Sequence, residues 1–477
     1  MSLLSEFLQQ CNSNPDNTAL IEGERQLSYQ HLLLQANRLS TMLQSRNKPI
    51  QRVIIAMDRG IDAAIAILAS LQAGTCYIPL DLKNPAGRLN YIINDADVQC
   101  ILGKGPCPEW LETPDLWLDI EQPQGSVPQQ SASVMGKSLA AILYTSGSTG
   151  SPKGVALSHR AMSNFADWAS STFNITENDH IASLAPFHFD LSVFDLFSSL
   201  SSGATIHFVP SMLAMSPSRL TSWLAEQRIT VWYTVPSLLS FIALKGSLKT
   251  TALPCLRTIL FAGEVFPTPQ LIELCKLLPK VNFYNLYGPT ETNVCCYWPV
   301  DKSRLIADQT IPIGIPACNS ALTIDDSELT VKSDNNLSGY WQQGKLTPAL
   351  SADNSYRTGD KVSLNEYGEY CYHGRLDRML KCSGYRVEPA EIEHAILQCP
   401  EVIHCAVIGI NDSTSGQRPV AAVVLKANSL LADIVKQIRQ SLPAYMQPCK
   451  YIAFDSLPYL SNGKIDYQQL QKQLEKK

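Results

Sequence analysis

Between residues 142 and 159 the chain reads ILYTSGSTGSPKGVALSH, which gathers Thr145, Ser146, Ser148, Thr149 and Ser151 around Gly147, Gly150 and Gly154, with one lysine, Lys153. Glycines at this density permit positive φ and close backbone approach. Successive free N–H groups in such a loop form a concave anion site, to which hydroxyls add donors and a lysine adds charge. A flexible Ser/Gly linker has a similar composition, so composition alone leaves both readings open. The flanks, LAAILYT before and GVALS after, are short, apolar and strand-like, which favours a tight hairpin-like loop over a tether. The spacing GxxxxGK[ST] fits nowhere in the stretch, which disfavours a P-loop NTPase.

The elements around the loop alternate between helical and strand periods. SYQHLLLQANRLSTMLQS carries apolar residues at helical spacing and is followed by the strand-like RVIIAM. GIDAAIAILASLQAG with TCYIPLD, and RLTSWLAEQ with ITVWYTV, repeat the pattern. Such alternation predicts an α/β architecture of sheets covered by helices. The polar Pro/Gln/Ser segment 121–138 reads as a surface connection ahead of the glycine-rich loop. Around 356–386 the texture changes to short strands with turns, followed by helix AEIEHAILQ, strands HCAVIGI and PVAAVVLK, and helix LADIVKQIRQSL. This predicts a large N-terminal domain, 1–376, and a small α+β C-terminal domain, 377–477.

Composition narrows the function classes. A chain of 477 residues with 45% apolar content has room for substantial cores. Lys+Arg 38 against Asp+Glu 43 gives a net charge of -5 with no basic block, which argues against a nucleic-acid partner. MSLLSEFLQQ lacks the order of a signal peptide. The longest apolar stretch, Ile61–Ala73, is interrupted by Asp62, Ser70 and Gln72, so no membrane span is expected. The 14 cysteines are scattered without CxxC or Cys/His ligand spacing and read as reduced, buried thiols of a soluble cytoplasmic chain.

The eleven residues YTSGSTGSPKG (144–154) resemble the signature loop of the adenylate-forming superfamily, which includes acyl-CoA ligases, luciferases and peptide-synthetase adenylation domains. The rest of that family's motif series is present in order: LSYQHL, LQAGTCYIPLD, FDLSVFDLF, NLYGPTE, YRTGD, GRLDRMLKCSGYRVEPAEIE, LPAYMQP and NGKID. The resemblance covers essentially the whole chain and implies a large domain with a small, mobile partner. It also implies ATP and Mg2+ as cofactors and a two-step reaction. A carboxylate first displaces pyrophosphate from ATP; a thiol then displaces AMP. Such chemistry requires neutralised phosphates, fixed geometry and exclusion of water.

The resemblance also assigns residues. Thr145, Ser146, Gly147, Ser148, Thr149 and Lys153 would wrap the departing phosphates, with Thr290 as a further donor. Asp360 of YRTGD would bind the ribose hydroxyls, and Tyr287 of NLYGPTE would stack on adenine. Asn285, Gly288, Gly263, Glu264, Tyr372 and Arg375 would complete the nucleotide site. Glu291 would ligate magnesium, and Lys464 of NGKID would carry catalysis of adenylate formation, entering with the small domain. Asp377 falls at the hinge. The sequence departs from the family at Met379, where glutamine is usual, at Ser383, where arginine is common, and in the shortened DDSELTVKSDNNLSGYW.

Asp190 separates subfamilies. It is similar to the aspartate that pairs with the α-amino group in amino-acid-activating members, and a buried carboxylate without a cation costs several kcal/mol, so such a pocket rejects acids lacking an ammonium. A helix N-cap is the alternative role for an aspartate here. The remaining pocket positions by resemblance are Leu191, Phe194, Tyr233, Leu260, Ala262, Leu286, Val294 and Cys295. Together with Asp190 they are similar to the pocket of stand-alone enzymes that activate L-proline for a carrier protein, as in pyrrole-forming and anatoxin pathways. Another small apolar amino acid is the alternative, and an acyl- or aryl-CoA ligase is disfavoured by Asp190. The chain ends thirteen residues after Lys464, so the expected thiol acceptor is a separate carrier protein bearing phosphopantetheine.

Overall fold

The computed structural model describes residues 3–46, 48–122, 135–147, 150–412, 416–427, 429–459 and 465–474. The helix Tyr29–Gln44 begins where Ser28 accepts a hydrogen bond from the His31 amide, satisfying an end donor that the helix itself cannot. Its buried stripe of Leu32, Ala36, Leu39 and Leu43 follows the helical period. The next helix, Ile61–Gln72, is buried along nearly its whole surface, which is why its sequence is apolar all round.

Two large sheets organise the N-terminal domain. In the first, Thr18–Glu22, Thr205–Phe208, His180–Ser183, Val231–Thr234, Thr258–Phe261 and Asn282–Tyr287 run parallel as neighbours, with antiparallel Cys296–Pro299 beside the last. The centre of the second is Leu139–Thr145, Cys76–Pro79, Arg52–Ile55 and Cys100–Gly103, all parallel, with Lys153–Ser158 returning antiparallel on Leu139–Thr145. The main core draws on both sheets, through Leu20, Ile181 and Tyr233 from one and Val53, Tyr77 and Leu143 from the other. Parallel strands end on one edge of their sheet, and ligands of such sheets bind beyond those carboxyl ends. The segments that follow the first sheet's strands, Ala185–Asp190, Val235, Ala262–Gly263 and Gly288–Thr290, all border cavities there.

A four-stranded antiparallel sheet of Ala321–Asp325, Glu328–Lys332, Ser355–Leu364 and Tyr370–Arg375 follows. The chain then crosses, over residues 376–379, into the sheet of the C-terminal domain. That sheet contains the hairpin Leu380–Cys382/Tyr385–Val387, the long strands Val402–Asp412 and Gly416–Leu425, and the parallel strand Lys450–Ala453. With helices Pro389–Leu397 and Leu431–Ser441 it builds its own core around Val387, Ile392, Val407, Val423, Ile434 and Ile438. A buried ion pair, Arg88 with Glu391, joins the two domains. The architecture is thus α/β with a small α+β partner. All fourteen cysteines are unpaired and most are buried. Among the described residues no helix is long and apolar enough to cross a membrane. Most of the polar segment 121–138, residues 123–134, lies outside the described residues.

Candidate active site

The glycine-rich stretch is the turn of a hairpin whose strands pair as far as Thr145 opposite Lys153. Gly150 has φ +88° and its amide bonds the Gly147 carbonyl at 3.1 Å, so this position needs glycine for its backbone. Gly154 is required for a different reason: a Cβ there would lie 2.5 Å from Ile142 Cγ2. Thr145 Oγ1 is buried with no hydrogen-bond partner among the described residues, an unmet donor in a site expected to meet phosphate. Ser148 and Thr149 lie outside the described residues, as does Lys464.

Glu291 is fully buried at the centre of the cleft. Arg386 Nη1 donates to both of its carboxylate oxygens, at 2.8 and 3.0 Å, and the Tyr340 hydroxyl donates at 2.8 Å. Lys153 Nζ stands 3.6 Å from Glu291 and 3.9 Å from the Tyr340 ring centre. Burial pushes the Glu291 carboxyl up, but the Arg386 and Lys153 charges outweigh it and hold it down at about 2. No cluster of three His, Cys, Asp or Glu side chains among the described residues could hold a metal alone. A magnesium ion at Glu291 would find one protein carboxylate, would compete with these two cations for it, and would need its remaining ligands from phosphate oxygens and water.

On the nucleotide side, Tyr287 donates to Asp360 Oδ2 and Arg375 Nη1 donates to Asp360 Oδ1 at 2.9 Å. Arg375 Nε also pairs with Asp377 Oδ1 at 2.9 Å, tying the expected ribose carboxylate to the expected hinge. The rings of Tyr287 and Tyr372 lie 6.3 Å apart, with Lys381 Nζ 5.7 and 5.4 Å from their centres. Gly263, Glu264, Asn285, Tyr287, Gly288, Tyr372 and Lys381 line one small cavity. Gly288 admits no side chain, because a Cβ would sit 1.7 Å from the Asn293 carbonyl oxygen.

Asp190 lies one residue before a single helical turn, Leu191–Val193, but its side chain caps nothing. It lines instead a cavity of about 120 Å³ together with the apolar Leu191, Tyr233, Ala262 and Val294 and the polar Thr145, Ser146, Asp360 and Arg386. Burial is the main cause that raises its carboxyl from 3.8 to about 6; the Glu291 charge raises it further, and a hydrogen bond from Thr290 opposes the shift. Phe194 is fully buried behind this lining, edge-on to Tyr233 at 5.6 Å. Leu260 and Cys295 are likewise buried behind the cavity wall, and Leu286 borders the nucleotide side. A second cavity of about 610 Å³ shares His188, Phe189, Leu191 and Tyr385 with the first.

Four residues that sequence reasoning passed over line or shape this site: Lys381, Arg386, Tyr340 and His188. The first three lie inside quoted motifs, so a signal existed, but nothing in the spacing shows that they converge on Glu291 and Tyr287.

The sequence pattern of AMP-binding enzymes matches residues 7–341, and that of the AMP-binding enzyme C-terminal domain matches residues 391–464. An L-proline–[L-prolyl-carrier protein] ligase of Streptomyces coelicolor is 37% identical, over 88% of this chain and 86% of its own length. One of Pseudomonas fluorescens is 34% identical over 100% of both chains. Among solved structures, a double mutant of o-succinylbenzoate CoA synthetase from Bacillus subtilis has a TM-score of 0.87 over 98% of both chains at 21% identity, a likeness of fold.

Proposed function

The chain belongs to the AMP-binding enzyme family, and from that premise we propose that it activates L-proline with ATP and transfers the prolyl group to the phosphopantetheine thiol of a separate carrier protein. The observation that carries this reading is Asp190: a half-buried carboxylate that accepts from Thr290 and makes no ion pair among the described residues, in a cavity with an apolar wall that is continuous with the nucleotide cleft. The partner such a group lacks is an ammonium, and the apolar wall suits a small uncharged side chain. The names of the full-length relatives support the same substrate and acceptor.

In the first half-reaction the amino-acid carboxylate oxygen attacks the α-phosphorus and the bond to pyrophosphate breaks. Thr145, Ser146 and Lys153 bind the departing phosphates; Asp360 and Tyr287 hold the ribose and base. Glu291 would hold magnesium, which supplies charge neutralisation at the phosphate oxygens. Lys464 would bring a fixed cation to the developing charge, a contribution on the order of 10²–10³ in rate. In the second half-reaction the thiol gives up its proton, its sulfur attacks the prolyl carbonyl carbon, and the bond to AMP breaks. The 610 Å³ cavity suits the thiol's arm, since it meets the amino-acid cavity at His188 and Tyr385. We take the domains as 1–376 and 377–477, with Asp377 as the proposed pivot between the two half-reactions.

Incubation with ATP, Mg2+, proline and a phosphopantetheinylated carrier protein tests the reading by intact-protein mass spectrometry. The carrier gains one prolyl group per phosphopantetheine. Formation of prolyl-AMP without any carrier loading, using carriers from several prolyl-transferring systems, contradicts the transfer step.

A further inference from the structure

Two segments leave the carboxyl ends of Thr205–Phe208 and Val231–Thr234, the parallel strands on either side of His180–Ser183, and border the 610 Å³ cavity. The first, Ser211–Met215, is a short 3₁₀ turn between Pro210 and Pro217. At three residues per turn, positions 211 and 214 share one face, 212 and 215 a second, and 213 a third. Ser211 and Ala214 line the cavity, and Leu213 is buried in a core with Leu220 and Trp232. Met212 and Met215 are left 81% and 85% exposed, the most exposed large apolar side chains among the described residues. The second segment, helix Pro236–Lys245, carries Leu238, Phe241 and Leu244 three residues apart on one face. Leu238 and Phe241 line the cavity, and the exposed Leu244 continues their stripe to the surface. Ser218 Oγ donates to the Lys245 carbonyl at 3.0 Å, tying the end of this helix to the chain just beyond Met215. Apolar surface thus runs from inside the cavity out onto the large domain. Basic groups edge it: Lys83 in the cavity lining, and Arg219 and Lys245 beside the two segments, all exposed and in no ion pair among the described residues. Arg59, also in that lining, is engaged by the Ser183 and Val209 carbonyls.

We propose that Met212, Met215 and Leu244 are the seat of the carrier protein whose arm occupies this cavity, and that the carrier meets them with an apolar face edged by carboxylates. Exposed apolar patches rimmed by charge mark contact surfaces, and methionine is flexible and polarizable enough to fit a partner's relief. The arm is covalently attached to the carrier, so the surface around the cavity mouth is covered whenever the thiol reaches His188 and Tyr385. The phosphodiester at the root of the arm is an anion that Lys83 complements, and Arg219 and Lys245 call for carboxylates on the partner itself. The methionines then hold the complex together, while the exposed cations mainly steer its encounter. This inference rests on the reading of the 610 Å³ cavity as the site of the arm, but not on the identity of the amino acid.

Transfer kinetics of the full chain, with two acceptors compared, test the surface apart from the arm site. One acceptor is a phosphopantetheinylated prolyl carrier protein; the other is free phosphopantetheine, which has the arm and no carrier. The double variant Met212→Gln/Met215→Gln raises KM for the carrier about ten-fold, the effect of losing an anchor pair at an interface. Its kcat, its proline-dependent pyrophosphate exchange and its transfer to free phosphopantetheine are unchanged, which damage to the fold would not spare. Arg219→Glu/Lys245→Glu also raises KM for the carrier, and that effect shrinks as ionic strength rises. An unchanged carrier KM in the methionine variant, or equal losses with both acceptors, overturns the proposal. So does a parent chain whose sedimentation shows self-association that the methionine variant abolishes without altering carrier KM, since the patch then seats a second copy. A parent chain that loads neither acceptor contradicts the proposed function and takes this inference with it, which separates the two failures.

Discussion

The proposed choice of substrate rests on Asp190, whose environment gives it a measurable signature. Burial raises the free carboxyl to about 6. Between about pH 4 and pH 6 the folded chain therefore holds a proton there that the unfolded chain has released, so this group's contribution to stability falls as pH rises through that window. A bound ammonium reverses the balance by favouring the ionised form. The stabilisation that proline gives in thermal melts should be full above pH 6 and shrink as pH falls toward 5. Asp190→Asn should abolish that pH dependence and cost about 2–5 kcal/mol of transition-state binding, the range for removing one partner of a buried charged pair. A proline-induced shift in melting temperature that is unchanged from pH 7.5 to pH 5 would count against the ammonium–carboxylate pairing.

Among the elements, the hairpin Leu380–Val387 carries Arg386 to Glu291 and Lys381 to the Tyr287 and Tyr372 rings. Gly384 has φ +83°, and a Cβ there would lie 2.8 Å from Val235 Cγ1, so Gly384→Ala both strains the turn and clashes with the large domain. The variant should retain proline-dependent pyrophosphate exchange within about three-fold and lose roughly ten-fold or more in carrier loading, a range set by about 1–2 kcal/mol of backbone strain. Equal effects on both steps would deny the hairpin a separate role. The same hairpin marks what could not be read in the sequence. Strands flanking the glycine-rich loop, and the helix Tyr29–Gln44, were legible because hydrophobic period is local. The pairing of Lys381 with Arg386 depends on turn type, and their meeting with Tyr287 and Glu291 depends on docking across roughly a hundred residues of chain. Phe194 and Tyr233 were expected at the pocket only through the family resemblance. Their division into a supporting ring and a lining ring follows from packing depth, which side-chain type does not encode.

For the whole molecule, fold and chemistry meet at one place. The carboxyl ends of the parallel strands supply Asp190, Ala262 and Gly288–Glu291. The hairpin of the second sheet brings Thr145, Ser146 and Lys153. The small domain closes the cleft with Lys381 and Arg386 while Arg88 and Glu391 pair across the junction. The alternation of helical and strand periods made the α/β class readable, and the change of texture around 356–386 made the division into a large and a small domain readable. On the proposed function this assembled cleft adenylates an amino acid chosen by Asp190 and its apolar neighbours. Amino-acid-dependent ATP–pyrophosphate exchange across the twenty standard amino acids tests it most directly. Proline should give the strongest signal, with other small apolar amino acids weaker by the 1–3 kcal/mol, about 10–200-fold, that one methylene is worth in such a pocket. Exchange supported only by fatty or aryl acids, or by no carboxylic acid at all, would contradict it.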